Sequence, residues 1–85
     1  MNVTIDCISI EGKEDLHRIF SEALCFPSWY GNNLDALHDQ LTSLSGTIRL
    51  ENWNEAEERL GKYGIAARKA IVHAALENGN LMVIL

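Results

Sequence analysis

Leu81-Met82-Val83-Ile84-Leu85 is an unbroken apolar run just after the turn pair Asn78-Gly79. It is too short for a helix and reads as a strand. The absence of alternation is the pattern expected of a parallel strand covered on both faces. Such a strand needs partners, and two other stretches offer them. Thr47-Ile48-Arg49-Leu50-Glu51 alternates after the Ser45-Gly46 turn, with Ile48 and Leu50 inward. Val3, Ile5 and Cys7 alternate with Thr4 and Asp6, so residues 2–8 form a third strand that ends before Glu11-Gly12, a turn or cap.

The segments between these strands have helical period. Leu16, Ile19, Phe20, Ala23 and Leu24 line one face of a helix over 13–24, with Glu14 and Asp15 in its favourable first turn. Phe26-Pro27 ends it, because the residue before proline avoids the α region and proline has no N–H to donate. A loop holding Trp29, Tyr30, Gly31, Asn32 and Asn33 leads into a second helix, about 33–43, marked by Leu34, Leu37 and Leu41. Asn54 with Glu57 resembles a capping box and starts a short helix that Gly61 stops; Ile65–Leu76 forms a fourth, capped by Asn78-Gly79. Crossover helices between successive strands favour parallel pairing through right-handed connections. The expected architecture is α/β: a small single domain over 1–85, with a three-stranded parallel sheet and about four helices.

The chain has 85 residues and a formal net charge of −5. That charge argues against sequence-independent nucleic-acid binding, which depends on Lys and Arg neutralising phosphates. No apolar run approaches the roughly 18 residues that span a bilayer, and Met1–Ile10 has no Lys or Arg, unlike a secretory leader. The expectation is a cytoplasmic protein with no membrane contact. Cys7 and Cys25 have no metal-ligand spacing and read as two buried reduced thiols.

Helix two carries the most informative local conflict. Asp35 and Asp39 lie four residues apart, Thr42 continues their face, and Leu34, Leu37 and Leu41 lie opposite. Like charges at that spacing cost an isolated helix about 0.2–0.5 kcal/mol, and only Asp35 is placed to regain something from the helix dipole. Between Arg18 and Arg49 there is no Lys or Arg, so nothing in that stretch offsets the two aspartates. With Trp29 and Tyr30 directly before it, the acidic face has the composition of an interface hot spot, and one of the two aromatics is expected to fold back onto the core. The reading is a binding surface from Ser28 to Thr42 for a basic pocket on another protein.

Catalysis is disfavoured. His38, Asp39 and His73 can be assembled into an acid–base cluster only on paper, since neighbouring helical residues point about 100° apart. No glycine-rich anion loop or nucleophile elbow is present. His17, His38 and His73 have no recognisable metal spacing and read as surface or half-buried side chains, so neither metal nor cofactor is expected.

The run Asp15-Leu16-His17, then Leu24 through Pro27, then Tyr30-Gly31-Asn32-Asn33-Leu34-Asp35-Ala36-Leu37-His38-Asp39-Gln40-Leu41-Thr42 resembles the barstar family of bacterial intracellular ribonuclease inhibitors. The resemblance extends more weakly through Glu51-Asn52-Trp53 to Gly79 and Ile84-Leu85. It implies that the loop and second helix, within 28–44, enter the active site of a basic ribonuclease, one to one, and occupy its phosphate-binding groups. Asp39 falls on the family's key carboxylate. Gly31, Asn33, Leu34, Asp35 and Thr42 fall on contact positions, and Trp29 replaces a stacking tyrosine. Tyr30 and Ser43 complete the surface with His38 and Leu44, which stand where the family has tryptophans, and His73, which stands where it has a glutamate. These three departures suit a different cognate enzyme. The resemblance implies an inhibitor, not an enzyme, monomeric when free, which serves in self-protection or as an immunity protein. The alternative is a related module that binds another basic protein without inhibiting a ribonuclease.

Overall fold

The computed structural model describes all 85 residues. Its elements are β1 (Asn2–Asp6), a 3-10 turn (Cys7–Ser9), α1 (Lys13–Leu24), α2 (Leu34–Thr42), β2 (Gly46–Glu51), α3 (Trp53–Leu60), α4 (Lys62–Glu77) and β3 (Leu81–Ile84). The sheet order is β1-β2-β3 and both pairings are parallel, with Val3 beside Ile48 and Ile48 beside Val83. The expected α/β architecture is therefore the observed one.

Register and burial show that only one face of the sheet is covered. Ile5, Ile48, Leu50 and Leu81 are buried, whereas Thr4, Arg49, Glu51 and Met82 are exposed. Parallel sheets are ordinarily covered on both faces; here the alternating strands β1 and β2 supply polar residues outward and apolar ones inward. The expectation that β3 is covered on both sides is thus corrected. It is an edge strand, and its unbroken apolar run leaves Met82 and Leu85 in solvent.

The core joins the inward strand residues to Leu16, Phe20 and Leu24 of α1, Leu37 and Leu41 of α2, Trp53 and Ala56 of α3, and Ala67, Ile71 and Ala74 of α4. These helical residues repeat at intervals of three and four, which puts each set on one stripe. Leu37 and Leu41 are wholly buried, so α2 is fixed in rotation about its own axis.

Three local readings differ from expectation. The first strand ends at Asp6, whose side chain accepts from the Ile8 N–H and turns residues 7–9 into a 3-10 turn. Helix α3 starts at Trp53 rather than Asn54: Asn52 takes the left-handed conformation and its amide bonds Asp6. Helix α4 starts at Lys62, three residues early, because Gly64 sits where the helix passes Glu57 of α3, with no room for a side chain. The thiols also differ from the paired reading: Cys7 is buried, while Cys25 is exposed at the left-handed C-cap of α1.

Candidate functional site

The segment before α2 is shaped by its own side chains. Asn33 caps the helix by accepting from the Ala36 N–H at 2.8 Å, and its amide donates back to the Gly31 carbonyl at 3.2 Å. A Cβ at Gly31 would lie 3.1 Å from that amide, so the small residue belongs to the cap. Asp35 occupies the first turn, where the helix dipole favours a carboxylate.

The two aromatics of the loop part company. Trp29 is 77% exposed, whereas Tyr30 is 7% exposed, as expected of one of the pair. Tyr30 packs on Phe26 with ring centroids 4.7 Å apart and places its hydroxyl 2.7 Å from His17 Nδ1. The other ring nitrogen of His17 lies 2.6 Å from the Tyr63 hydroxyl of α4. A neutral imidazole donates from one nitrogen and accepts at the other, so two hydroxyls satisfy it fully. Burial holds the His17 pKa below its ordinary value and pushes that of Tyr30 up. The placement of Tyr30 on the partner-facing surface is corrected accordingly: it supports the loop from beneath. His17, read as a surface or half-buried residue, is buried for the same reason.

On α2 the opposite faces separate cleanly. The Asp39 side chain is 82% exposed, Asp35 is exposed, and Thr42 is half-buried with its hydroxyl donating to the Asp39 carbonyl at 2.7 Å. Ser43 similarly donates to the Gln40 carbonyl. Leu34 and Leu44 are half-buried and pack against the core, which leaves part of each at the surface. His73 is exposed on α4.

His38 lies between two carboxylates and would offset them only when protonated. Its Nδ1 lies 3.7 Å from Asp39 Oδ1, and its Nε2 lies 2.9 Å from Glu77 Oε2 at the end of α4. Glu77 was not among the expected site residues. A signal was available, since Glu77 follows His73 by four residues and shares its helix face, but nothing in the sequence brings it to α2. That approach is made by Asn78, whose buried amide donates to the carbonyls of Leu41 and Leu44.

The arrangement can present two or three carboxylates and one large aromatic ring to a cationic surface on a rigid backing. Among its histidines, cysteines and carboxylates, no three cluster in a way that could hold a metal ion, and no helix is long and apolar enough to cross a membrane.

Comparison with known proteins places residues 1–82 within the family described as "Barstar (barnase inhibitor)". A protein of Bacillus subtilis (strain 168) named "Putative ribonuclease inhibitor YrdF" is 37% identical over 78 residues, covering 88% of this chain and 86% of that protein.

Proposed function

The chain belongs to the barstar family, and we propose that it is a stoichiometric inhibitor of a basic bacterial ribonuclease, which it blocks with the loop and helix of residues 28–44. The observation that carries this reading is the exposure of Asp39 on a helix whose other face buries Leu37 and Leu41 completely. A carboxylate on a fixed helix can stand in for a substrate phosphate. A ribonuclease must gather cationic side chains to hold that phosphate, and the same groups would hold Asp39 and Asp35.

Long-range attraction would speed the encounter. The stretch from residue 19 to residue 48 contains Glu22, Asp35 and Asp39 and no Lys or Arg, so a cationic cleft meets one sign of charge. Such steering raises association rates and weakens with salt. Trp29 would add apolar contact beside the charges, the composition common at the centre of interfaces. The protein acts by occupancy in the cytoplasm, as a monomer. It either protects the producing cell from its own secreted enzyme or serves as immunity against a delivered toxin.

Titration of barnase with the pure protein tests the proposal. Ribonuclease activity should fall linearly to zero at one equivalent, and the association rate should fall as salt rises. Failure to inhibit barnase and the nucleases secreted by the producing organism would leave only a binding module for another basic protein. RNA turnover by the chain itself would overturn both.

A further inference from the structure

Two polar tethers join α2 to the end of α4. The deeper one is Asn78, whose amide donates to the carbonyl of Leu41 in the last turn of α2 and to that of Leu44 just beyond it. The second is His38 to Glu77 at 2.9 Å, one turn earlier along α2. The fold does not need this second tether, because both side chains have access to water. What the tether does is orient an imidazole: with Nε2 turned to Glu77, Nδ1 faces Asp39 Oδ1 at 3.7 Å. Only the protonated ring, which donates from both nitrogens, attracts a carboxylate at each; the neutral ring that donates to Glu77 turns a lone pair toward Asp39. Asp39 has no other side-chain partner; the hydroxyl of Thr42 bonds its backbone carbonyl, not its carboxylate.

A surface carboxylate free to rotate loses that freedom when a partner binds, and the loss weakens the complex. An aspartate already held against a neighbouring ring has less to lose. We propose, resting on the acidic face described above, that His38 is a positioning residue: held beside Glu77, its protonated ring restrains the Asp39 side chain in the orientation presented to the partner's cationic group. The imidazole acts through Asp39 rather than by touching the partner.

A double-mutant cycle with barnase as the probe separates these roles. At about pH 5, His38→Ala should weaken binding about three- to tenfold, the range expected for one pre-ordered side chain, and Glu77→Gln should reproduce part of that loss. In an Asp39→Ala background, His38→Ala should change affinity less than twofold; an undiminished loss there would mean direct contact and overturn the proposal. A second arm needs no partner. Three-bond couplings across the Asp39 χ1 torsion, recorded at about pH 5, should report one dominant rotamer in the wild-type protein and averaging in His38→Ala, with the helical circular dichroism unchanged. An averaged rotamer in the wild type at that pH overturns the proposal whether or not barnase binds. A single rotamer, released by His38→Ala in a protein that ignores barnase, would count against the proposed function and in favour of the coupling.

Discussion

The Nδ1 atom of His17 lies 2.7 Å from the hydroxyl of Tyr30, and this contact fastens the loop before α2 to the middle of α1. Because the ring is buried and its other nitrogen meets Tyr63, protonation would place a charge where water cannot reach it and leave one hydroxyl without an acceptor.

The sign of the resulting pH dependence follows. Burial lowers the His17 pKa below 6.5, so the unfolded chain takes up a proton before the folded one does. Stability should therefore decline as pH falls below about 6.5, with a slope of at most about 1.4 kcal/mol per pH unit, until the folded-state pKa is passed. Asp6, Asp15 and Glu57 also have lowered pKa values, but their contributions are lost only in the carboxylate range. Urea unfolding at pH 7 and pH 5 checks this. The difference should shrink in His17→Gln, and an unchanged difference would assign the effect elsewhere.

Tyr30 and Trp29 should respond oppositely to substitution. Tyr30→Phe removes a partner of a buried imidazole and should cost about 1–2 kcal/mol of stability. Trp29→Ala should leave stability within about 0.5 kcal/mol, since the ring is mostly in solvent, while weakening inhibition. Thermal melts and titration against barnase distinguish the two.

Asp39→Ala should weaken partner binding by at least about 2 kcal/mol, the threshold for a central interface residue, for which barnase–barstar is itself a standard example. Lys13→Ala, on α1, should change affinity little. Equal losses from both substitutions, measured by calorimetry, would displace the assigned face.

Gly46 should tolerate no side chain. Its φ is +126°, and a Cβ there would lie 2.0 Å from the Met1 carbonyl oxygen. Gly46→Ala should cost about 2 kcal/mol or more through strain and displacement of Met1. Gly79→Ala, with nothing within 4 Å of the added carbon, should be close to neutral, and denaturant midpoints give the comparison.

Much of this architecture was legible because packing follows the repeat. Helix α1 runs over 13–24 as its apolar spacing requires, and the parallel sheet follows from the crossover helices. The acidic face of α2 was legible for the same reason: once Leu37 and Leu41 are inside, Asp39 must be outside. What escaped depends on contacts between distant residues. The burial of His17 requires Tyr30 and Tyr63, 13 and 46 residues away, and a lone histidine carries no mark of them. The link from His38 to Glu77 arises from how α2 meets α4. The early start of α4 reflects a close approach at Gly64, which local propensity disfavours. The open face of the sheet was hidden by β3, whose apolar run imitates a doubly covered strand.

Glu57 shows how such distant contacts support the core. Burial by itself would raise its pKa, but the Trp53 indole and the Arg68 guanidinium donate to its carboxylate at 2.9 Å and 2.7 Å and hold the pKa below the ordinary value. The carboxylate joins α3 to α4, and Arg59 extends the support by donating to the carbonyls of Ile8 and Ile10.

The unequal surroundings of Cys7 and Cys25 give the molecule a built-in kinetic probe. Cys25 lies open to solvent, whereas burial pushes the Cys7 thiol up to about 11, and its Sγ donates to the Ile5 carbonyl. A thiol reagent in excess should therefore derivatise Cys25 first. It should reach Cys7 only during excursions that lift the end of β1 from the core. The slower phase measures the frequency of those openings in the native state, without denaturant. A fluorophore attached in the faster phase would sit four residues from Trp29, where it could signal the arrival of a partner in real time.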